Sequence, residues 1–160
     1  MNSIKLWFAK KSDQKQTWAG ANEDCKSYGM KSVTFDSNHE QNMFLHACKL
    51  QRKRQLWIGY TDVNSFRNWH DEDGDRANVD LDFMRGEPSN AGGNEHCIHI
   101  SEVGEKYQCN DLICTSLQNV VCELTDNSDN LVKNQTCAAC PTCPTFAACP
   151  ICSEYNITDL

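Results

Sequence analysis

The sequence has no apolar run approaching the roughly 18 residues that a membrane-spanning helix needs, so no segment is expected to cross a bilayer. A basic excess is also missing. Fifteen Lys and Arg stand against 22 Asp and Glu, giving a net charge of −7 and a pI near 5.1. Nucleic acid and anionic membranes recruit basic surfaces, so neither is expected as the main partner. The apolar stretch near the N-terminus, Leu6 to Ala9, is too short for the hydrophobic region of a secretion signal. The expectation is that such a signal was removed or never included. Apolar residues make up 39% of the 160, enough for one ordinary domain with a modest core and a short appendage.

Cysteine, by contrast, is abundant. Eleven of the 160 residues are Cys, which points to cross-linking in an oxidising, extracellular compartment. Eleven is odd, so at least one thiol is free or pairs with another chain. The composition shifts near residue 125. All four Trp lie before it, in a segment that reads as one domain over residues 1–124. Residues 125–136 are a polar linker, and residues 137–160 form a tail opening with CAACPTCPTFAACPIC.

Two helices are predicted. Thr17 precedes Trp18, Ala21, Cys25 and Tyr28 at helical spacing, with Gly29 as a stop. Ser37 and Glu40 form a capping box for a second helix, whose buried face would be Met43, Phe44 and Ala47. Strands are predicted at Leu56–Thr61, Cys97–Ile100 and Val120–Leu124. Residues 62–96 are rich in Asn, Asp and Gly with little periodicity. A stretch that long is expected to be functional, or tied down by metal and disulfides.

The candidate chemistry lies at the end of that stretch. Glu87, Ser89, Glu95, Asn110 and Asp111 are oxygen donors in two clusters flanking Cys97. Carboxylates and amide oxygens suit calcium, which takes six to eight oxygens, and suit zinc poorly. Pro88 sits between two of them, and Glu87–Pro88 is the bond at which a cis peptide is chemically accessible. Taken alone, Gly86 to Asn90 would be a surface turn. The acidic run Asp71 to Asp75 invites an EF-hand reading but lacks its ligand spacing and twelfth-position glutamate, so a solvated loop is expected. His96 and His99 flank Ile98 without an evident base–orienter partner, so His99 is expected to be structural or at the surface, and no enzyme is expected.

Taken together these residues resemble a C-type lectin domain, from about residue 6 to residue 124. In order, the matching residues are Trp18, Ala21, Cys25, Gly29, Glu40, Phe44, Trp57-Ile58-Gly59, Asp62, Trp69, Gly86-Glu87-Pro88, Glu95, Cys97, Asn110-Asp111, Cys114 and Cys122-Glu123. The resemblance implies an α+β fold with two helices, mixed β-sheets and a long loop region carrying the ligand site. It implies disulfides Cys25–Cys122 and Cys97–Cys114. It also implies a calcium-dependent sugar site in which Glu87, Ser89, Glu95, Asn110 and Asp111 hold the metal and contact the sugar, with Asn90 beside them. Glu87 tilts the expected ligand toward mannose, fucose and N-acetylglucosamine.

Two departures weaken that expectation. Ser89 stands where the family has Asn or Asp, and Cys109 stands where a Trp precedes Asn110-Asp111. A Cys48–Cys109 bridge would account for both remaining domain cysteines; buried thiols or pairing with the tail are the alternatives. Of the acids at the family's auxiliary calcium site only Asp62 and Glu95 are matched, while Phe66, Asn90 and His96 fill the rest. One calcium is therefore expected. The tail cysteines Cys137, Cys140, Cys143, Cys149 and Cys152 favour disulfide-linked homo- or hetero-oligomers over metal. Asn134 and Asn156 open N-glycosylation sequons. The function so implied is a secreted lectin for glycans or glycoproteins on cell or microbial surfaces, in innate immune recognition or adhesion. The alternative is a lectin-like domain that binds a protein partner without sugar.

Overall fold

A computed structural model describes residues 7–10, 14–50, 55–124 and 155–158. Its elements are β1 (Trp7–Lys10), α1 (Trp18–Ser27), β2 (Met30–Ser32), α2 (Asn38–Leu50), β3 (Leu56–Thr61), β4 (Cys97–Val103), β5 (Lys106–Leu112), β6 (Val121–Leu124) and β7 (Tyr155–Thr158). A short 3₁₀ turn, Ala91–Gly93, precedes β4. The strands form two sheets, ordered β2-β6-β1-β7 and β3-β4-β5, with antiparallel neighbours throughout. This is the α+β arrangement expected, with antiparallel sheets in place of mixed ones.

Local sequence accounts for the helices. Thr17 caps α1, its hydroxyl accepting the Gly20 N–H at 3.1 Å, and Gly29 ends it at a positive φ of 70°. At α2 the Ser37 hydroxyl accepts the Glu40 N–H, while Glu40 reaches one residue further back, to the Asp36 N–H at 2.7 Å. The buried face of α2 is Gln41, Phe44, Leu45 and Cys48, with Ala47 at its flank. Met43 lies 38% exposed, contrary to expectation. The i, i+3, i+4, i+7 set runs through residue 41, which places Met43 on the solvent side.

The strands predicted at Leu56–Thr61 and Cys97–Ile100 are present. Residues 97–100 are buried on both faces rather than alternating, because Ile98 and Ile100 pack into one apolar cluster while Cys97 and His99 pack beside Trp57 on the other face. Gly59 of β3 is required by a close approach. A Cβ there would meet the Ser32 and Val33 carbonyl oxygens at 3.1 Å and the Thr34 methyl at 3.0 Å, and the Gly59 N–H donates to Val33 at 2.7 Å. That contact joins β3 to the end of β2. Glu123 of β6 is fully buried; it accepts from the Thr34 hydroxyl at 2.8 Å and pairs with Lys31 at 3.2 Å.

Two apolar clusters make the core. The larger joins Phe35, Phe44, Leu56, Ile58, Tyr60, Ile98 and Ile100 between α2 and the β3-β4-β5 sheet. The smaller gathers Ala21, Met30, Trp57 and Val120 around the half-cystines, beneath α1. Both implied disulfides are formed, Cys25–Cys122 with Cα atoms 5.5 Å apart and Cys97–Cys114 at 5.1 Å. By the loop-entropy argument the longer closure contributes about 4–5 kcal/mol and the shorter about 3 kcal/mol. The expected Cys48–Cys109 bridge is not formed. Both residues are buried in the larger cluster, where a small, soft side chain fills core space. Burial pushes the Cys109 thiol far above its ordinary range, and the charge of Asp82 adds to this.

Residues 62–96 are tied down by their own packing and hydrogen bonds. Ala77, Val79, Leu81 and Phe83 alternate and pack with Trp69 on the larger cluster. This is a period of two, hidden among polar neighbours. The bridge of this 77–83 stretch to a strand is the one between Phe83 and Cys109, with Gln108 of β5 donating to Asp82 at 3.0 Å. Gln41 of α2 also holds it, donating to the Asp80 carbonyl at 2.8 Å and accepting the Asp82 N–H at 3.0 Å. Residues 155–158, expected within a polar tail, pair antiparallel with β1, which sets Asn156 opposite Ala9. Asn134 and the cysteines at 137, 140, 143, 149 and 152 lie outside the described residues.

Candidate functional site

The predicted donors meet at one end of the β3-β4-β5 sheet. Cys109 and its neighbours in β5 set the geometry. The Cys109 N–H donates to Asp82 at 2.8 Å and its carbonyl accepts from Met84 at 3.0 Å, so the chain entering the site runs alongside β5. A turn follows, closed by the Glu87 N–H on the Met84 carbonyl at 3.0 Å. Gly86 occupies its third position at φ 93°, a conformation side chains rarely adopt. The Glu87–Pro88 peptide is cis, the bond expected to be so.

Asp111, buried at the end of β5, organises the loop. Its two carboxylate oxygens accept the Ser89 N–H at 3.0 Å and the Asn90 N–H at 2.7 Å. Glu87 Oε2 accepts the same Ser89 N–H at 2.8 Å. Glu95 Oε2 accepts the Ala91 N–H at 2.8 Å and the Ser89 hydroxyl at 3.4 Å. Asn90, at φ 47° and ψ 50°, accepts the Glu95 N–H on its side-chain oxygen at 3.0 Å. Glu87, Ser89, Asn90, Glu95 and Asp111 are thus in one hydrogen-bonded cluster. Asn110 is joined to it through the backbone: its amide nitrogen donates to the Asp111 carbonyl at 2.8 Å.

That amide also faces His99 Nε2 at 3.2 Å. His99 is buried, edge-on to Trp57 with ring centroids 6.0 Å apart. Burial holds its imidazole down to about 4, and the Asp111 charge opposes the shift only in part. His99 is therefore neutral at physiological pH, and its Nε2 accepts from Asn110. The sequence suggested a structural or surface role, and the structure makes it a buried support of Asn110. Its register opposite Asn110 in the β4–β5 pairing is the feature that links them.

The donor chemistry fits calcium. Among the described residues, one oxygen each of Glu87, Glu95 and the Asn110 amide receives no protein donor, so three hard oxygens are left over around the Ser89–Asn90 turn. No three His, Cys, Asp or Glu side chains of the described residues converge as a metal cluster. The Ser89, Asn90 and Ala91 N–H groups bond the Glu87, Asp111 and Glu95 carboxylates. Hydroxyl and amide oxygens, with water, must supply part of any calcium shell.

A second polar knot braces the loop from outside and was missed in the sequence. Asp62, buried at the end of β3, accepts the Arg67 N–H at 2.7 Å on one oxygen and His96 Nδ1 at 2.8 Å on the other. The Arg67 guanidinium donates to the Pro88 carbonyl at 2.9 Å. A buried Asp followed five residues later by a positive-φ Arg has no short-range signature. The acidic loop behaves as a solvated turn: Asp71 accepts the Asp73 and Asp75 N–H groups at 3.0 and 2.9 Å.

The fold is shared with known proteins. The family model described as "Lectin C-type domain" matches residues 14–124. The chain is 33% identical over 110 residues to the hepatic lectin of Gallus gallus, covering 68% of this chain and 50% of that protein, so it spans half of that relative's length. It is 32% identical over 114 residues to lactose-binding lectin l-2 of Anguilla japonica, covering 69% of this chain and 68% of that one. Among solved structures it is similar to the C-type lectin domain of murine dendritic cell inhibitory receptor 2, crystallised in complex with N-glycan. There the TM-score is 0.64 at 23% identity, over 78% of this chain and 94% of that one, a likeness of fold.

Proposed function

The chain belongs to the C-type lectin domain family, and from that premise we propose that it binds carbohydrate through one calcium ion held by Glu87, Ser89, Glu95, Asn110 and Asp111, with Asn90 at the edge of the site. The observation that carries the proposal is that Glu87, Glu95 and Asp111 all bond the backbone of the Ser89–Ala91 turn, with one oxygen left over on each of Glu87, Glu95 and Asn110. Calcium bound there supplies an oxygen-seeking centre for two vicinal sugar hydroxyls.

The protein's own part is recognition. Glu87 and Glu95 accept hydrogen bonds from hydroxyl protons, and Asn110 presents an amide whose orientation is set by His99 and the Asp111 carbonyl. Asp111 keeps the turn closed beneath the sugar. With glutamate at position 87, the proposed ligands are mannose, fucose and N-acetylglucosamine on cell-surface or microbial glycans. The proposed setting is extracellular, in adhesion or innate immune recognition, with the tail cysteines linking chains. Such linkage would raise avidity for clustered glycans without new contacts. No catalytic role is proposed, since Glu87 and Glu95 are assigned to metal and sugar, and the half-cystines and His99 are engaged in structure.

A competing reading is a lectin-like domain for a protein ligand, favoured by the backbone N–H groups that occupy Asp111 and by the short Ser89 side chain. Retention on immobilised mannose and galactose separates the two. Wild type should bind mannose with calcium, elute with a chelator, and lose retention at least tenfold in Glu87→Ala. Retention unaffected by chelation would refute the calcium site.

A further inference from the structure

Outside the calcium loop lies a groove of about 650 Å³, reached across Arg67. Its floor is aromatic: the Trp69 and Phe83 rings sit 5.8 Å apart, tilted by 40°, and both are half-buried. Its rim carries Arg67 and Arg76, with Asn38 at one side and Asp80 as the one acid. Neither guanidinium is in an ion pair with a carboxylate among the described residues. That is unusual in a chain with seven more acidic than basic residues. An Arg left without an acid beside a cleft offers a planar fork of donors suited to carboxylate or sulfate.

The rim is also rigid. Arg67 is fixed at φ 59° by its N–H bond to buried Asp62. Its guanidinium lies 5.3 Å from the centre of the Phe66 ring, itself 61% exposed, and bonds the Pro88 carbonyl. Asn38 accepts the Asp80 N–H on its side-chain oxygen at 3.1 Å, which leaves its amide nitrogen available to donate. The Pro88 contact is decisive, because it sets the groove directly against the loop that carries Glu87 and Ser89.

We infer that the groove bounded by Arg67, Arg76, Trp69 and Phe83 is a second sugar subsite that selects glycans carrying an anionic substituent, a sulfate ester or a carboxylate, next to the unit held by Glu87 and Asn110. The inference rests on the proposed sugar site for the position of that first unit. The apolar face of the second unit packs on Trp69 and Phe83. Its acid group sits between the two guanidiniums, away from Asp80, whose carboxylate accepts from the unit's hydroxyls.

The test uses the full chain with calcium and three versions of one mannose-terminated oligosaccharide: neutral, sulfated on the second unit, and bearing a uronic acid there. The charged forms should bind about fivefold or more tighter than the neutral one, an advantage lost at high salt. In Arg76→Ala, and in Arg67→Lys, which keeps the charge but not the fork, that ratio should fall toward one. A preference for one charged form identifies the group taken. Equal affinity for all three overturns the subsite. A separate titration with a sulfated monosaccharide in chelator follows the Trp69 indole N–H by NMR. A shift lost in Arg76→Ala supports the subsite even if the calcium site fails, and no shift together with no charge preference refutes it.

Discussion

Acid should destabilise this domain along a curve that His99 shapes. The imidazole is only 5% exposed, packs edge-on against Trp57 and accepts a hydrogen bond from Asn110, and burial holds it down to about 4. In the unfolded chain it returns to about 6.5. Above 6.5 both states are neutral there and nothing is lost. As pH falls below 6.5 the unfolded chain takes up a proton that the native state refuses until about 4. The stability present above the unfolded value is therefore lost across that window. The magnitude follows from the two values: about 2 kcal/mol is gone by pH 5 and about 3 kcal/mol by pH 4.

The assay is urea unfolding at intervals from pH 7.5 to 4, disulfides intact and chelator present, for wild type and His99→Gln. The variant loses packing against Trp57 and starts less stable, but its residue 99 cannot titrate. The acids contribute alike to both proteins. The wild-type curve should therefore fall more steeply, with the gap between the proteins closing by about 3 kcal/mol at pH 4. Parallel curves would refute the assignment of a buried, neutral His99.

Two other outcomes follow from the core. Gly59→Ala should cost about 1–3 kcal/mol in urea unfolding, because its methyl meets two backbone carbonyls that cannot swing aside; an unchanged midpoint would mean the β2–β3 approach is looser than described. Cys109 should resist alkylation at pH 8 in the native protein and react on denaturation, followed at its own peptide by mass spectrometry; rapid native labelling would contradict a thiol with no exposed surface.

Where a residue's role rests on local pattern, the sequence carried it. The Thr17 cap, the Ser37 and Glu40 box, the Gly86 turn and the strand at Leu56–Thr61 each depend on neighbours within a few positions. The motif order from Trp57-Ile58-Gly59 to Asn110-Asp111 carried the rest of the frame. Met43 was misplaced because three apolar residues suggested a face, while polar Gln41 took the buried position by finding two backbone partners in the 80–82 segment. The alternation Ala77, Val79, Leu81, Phe83 carries no strand signal in the sequence because Asn78, Asp80 and Asp82, residue types that strands disfavour, lie between. Period two normally announces a strand, and here it announces a strap pressed onto the core from one side. Cys48 and Cys109 suggested a bridge by elimination alone, and elimination says nothing about how side chains pack.

The long loop is where sequence reasoning was least able to follow the physics. Metal and disulfides were the expected ties, since polar segments of that length cannot order themselves by burial alone. The structure divides the task. The Trp69-to-Phe83 strap supplies apolar anchorage, Gln41 and Asn38 satisfy its backbone, and Asp62 fastens both ends of what remains by binding Arg67 and His96. Arg67 then passes the restraint on to the Pro88 carbonyl. Each link joins residues tens of positions apart, or depends on a backbone angle that no residue type announces. For the proposed calcium site the consequence is specific: its outer frame is built from protein hydrogen bonds, so a metal held by Glu87, Glu95 and Asp111 would compete with four N–H bonds of the Ser89–Ala91 turn and would not have to order the whole loop.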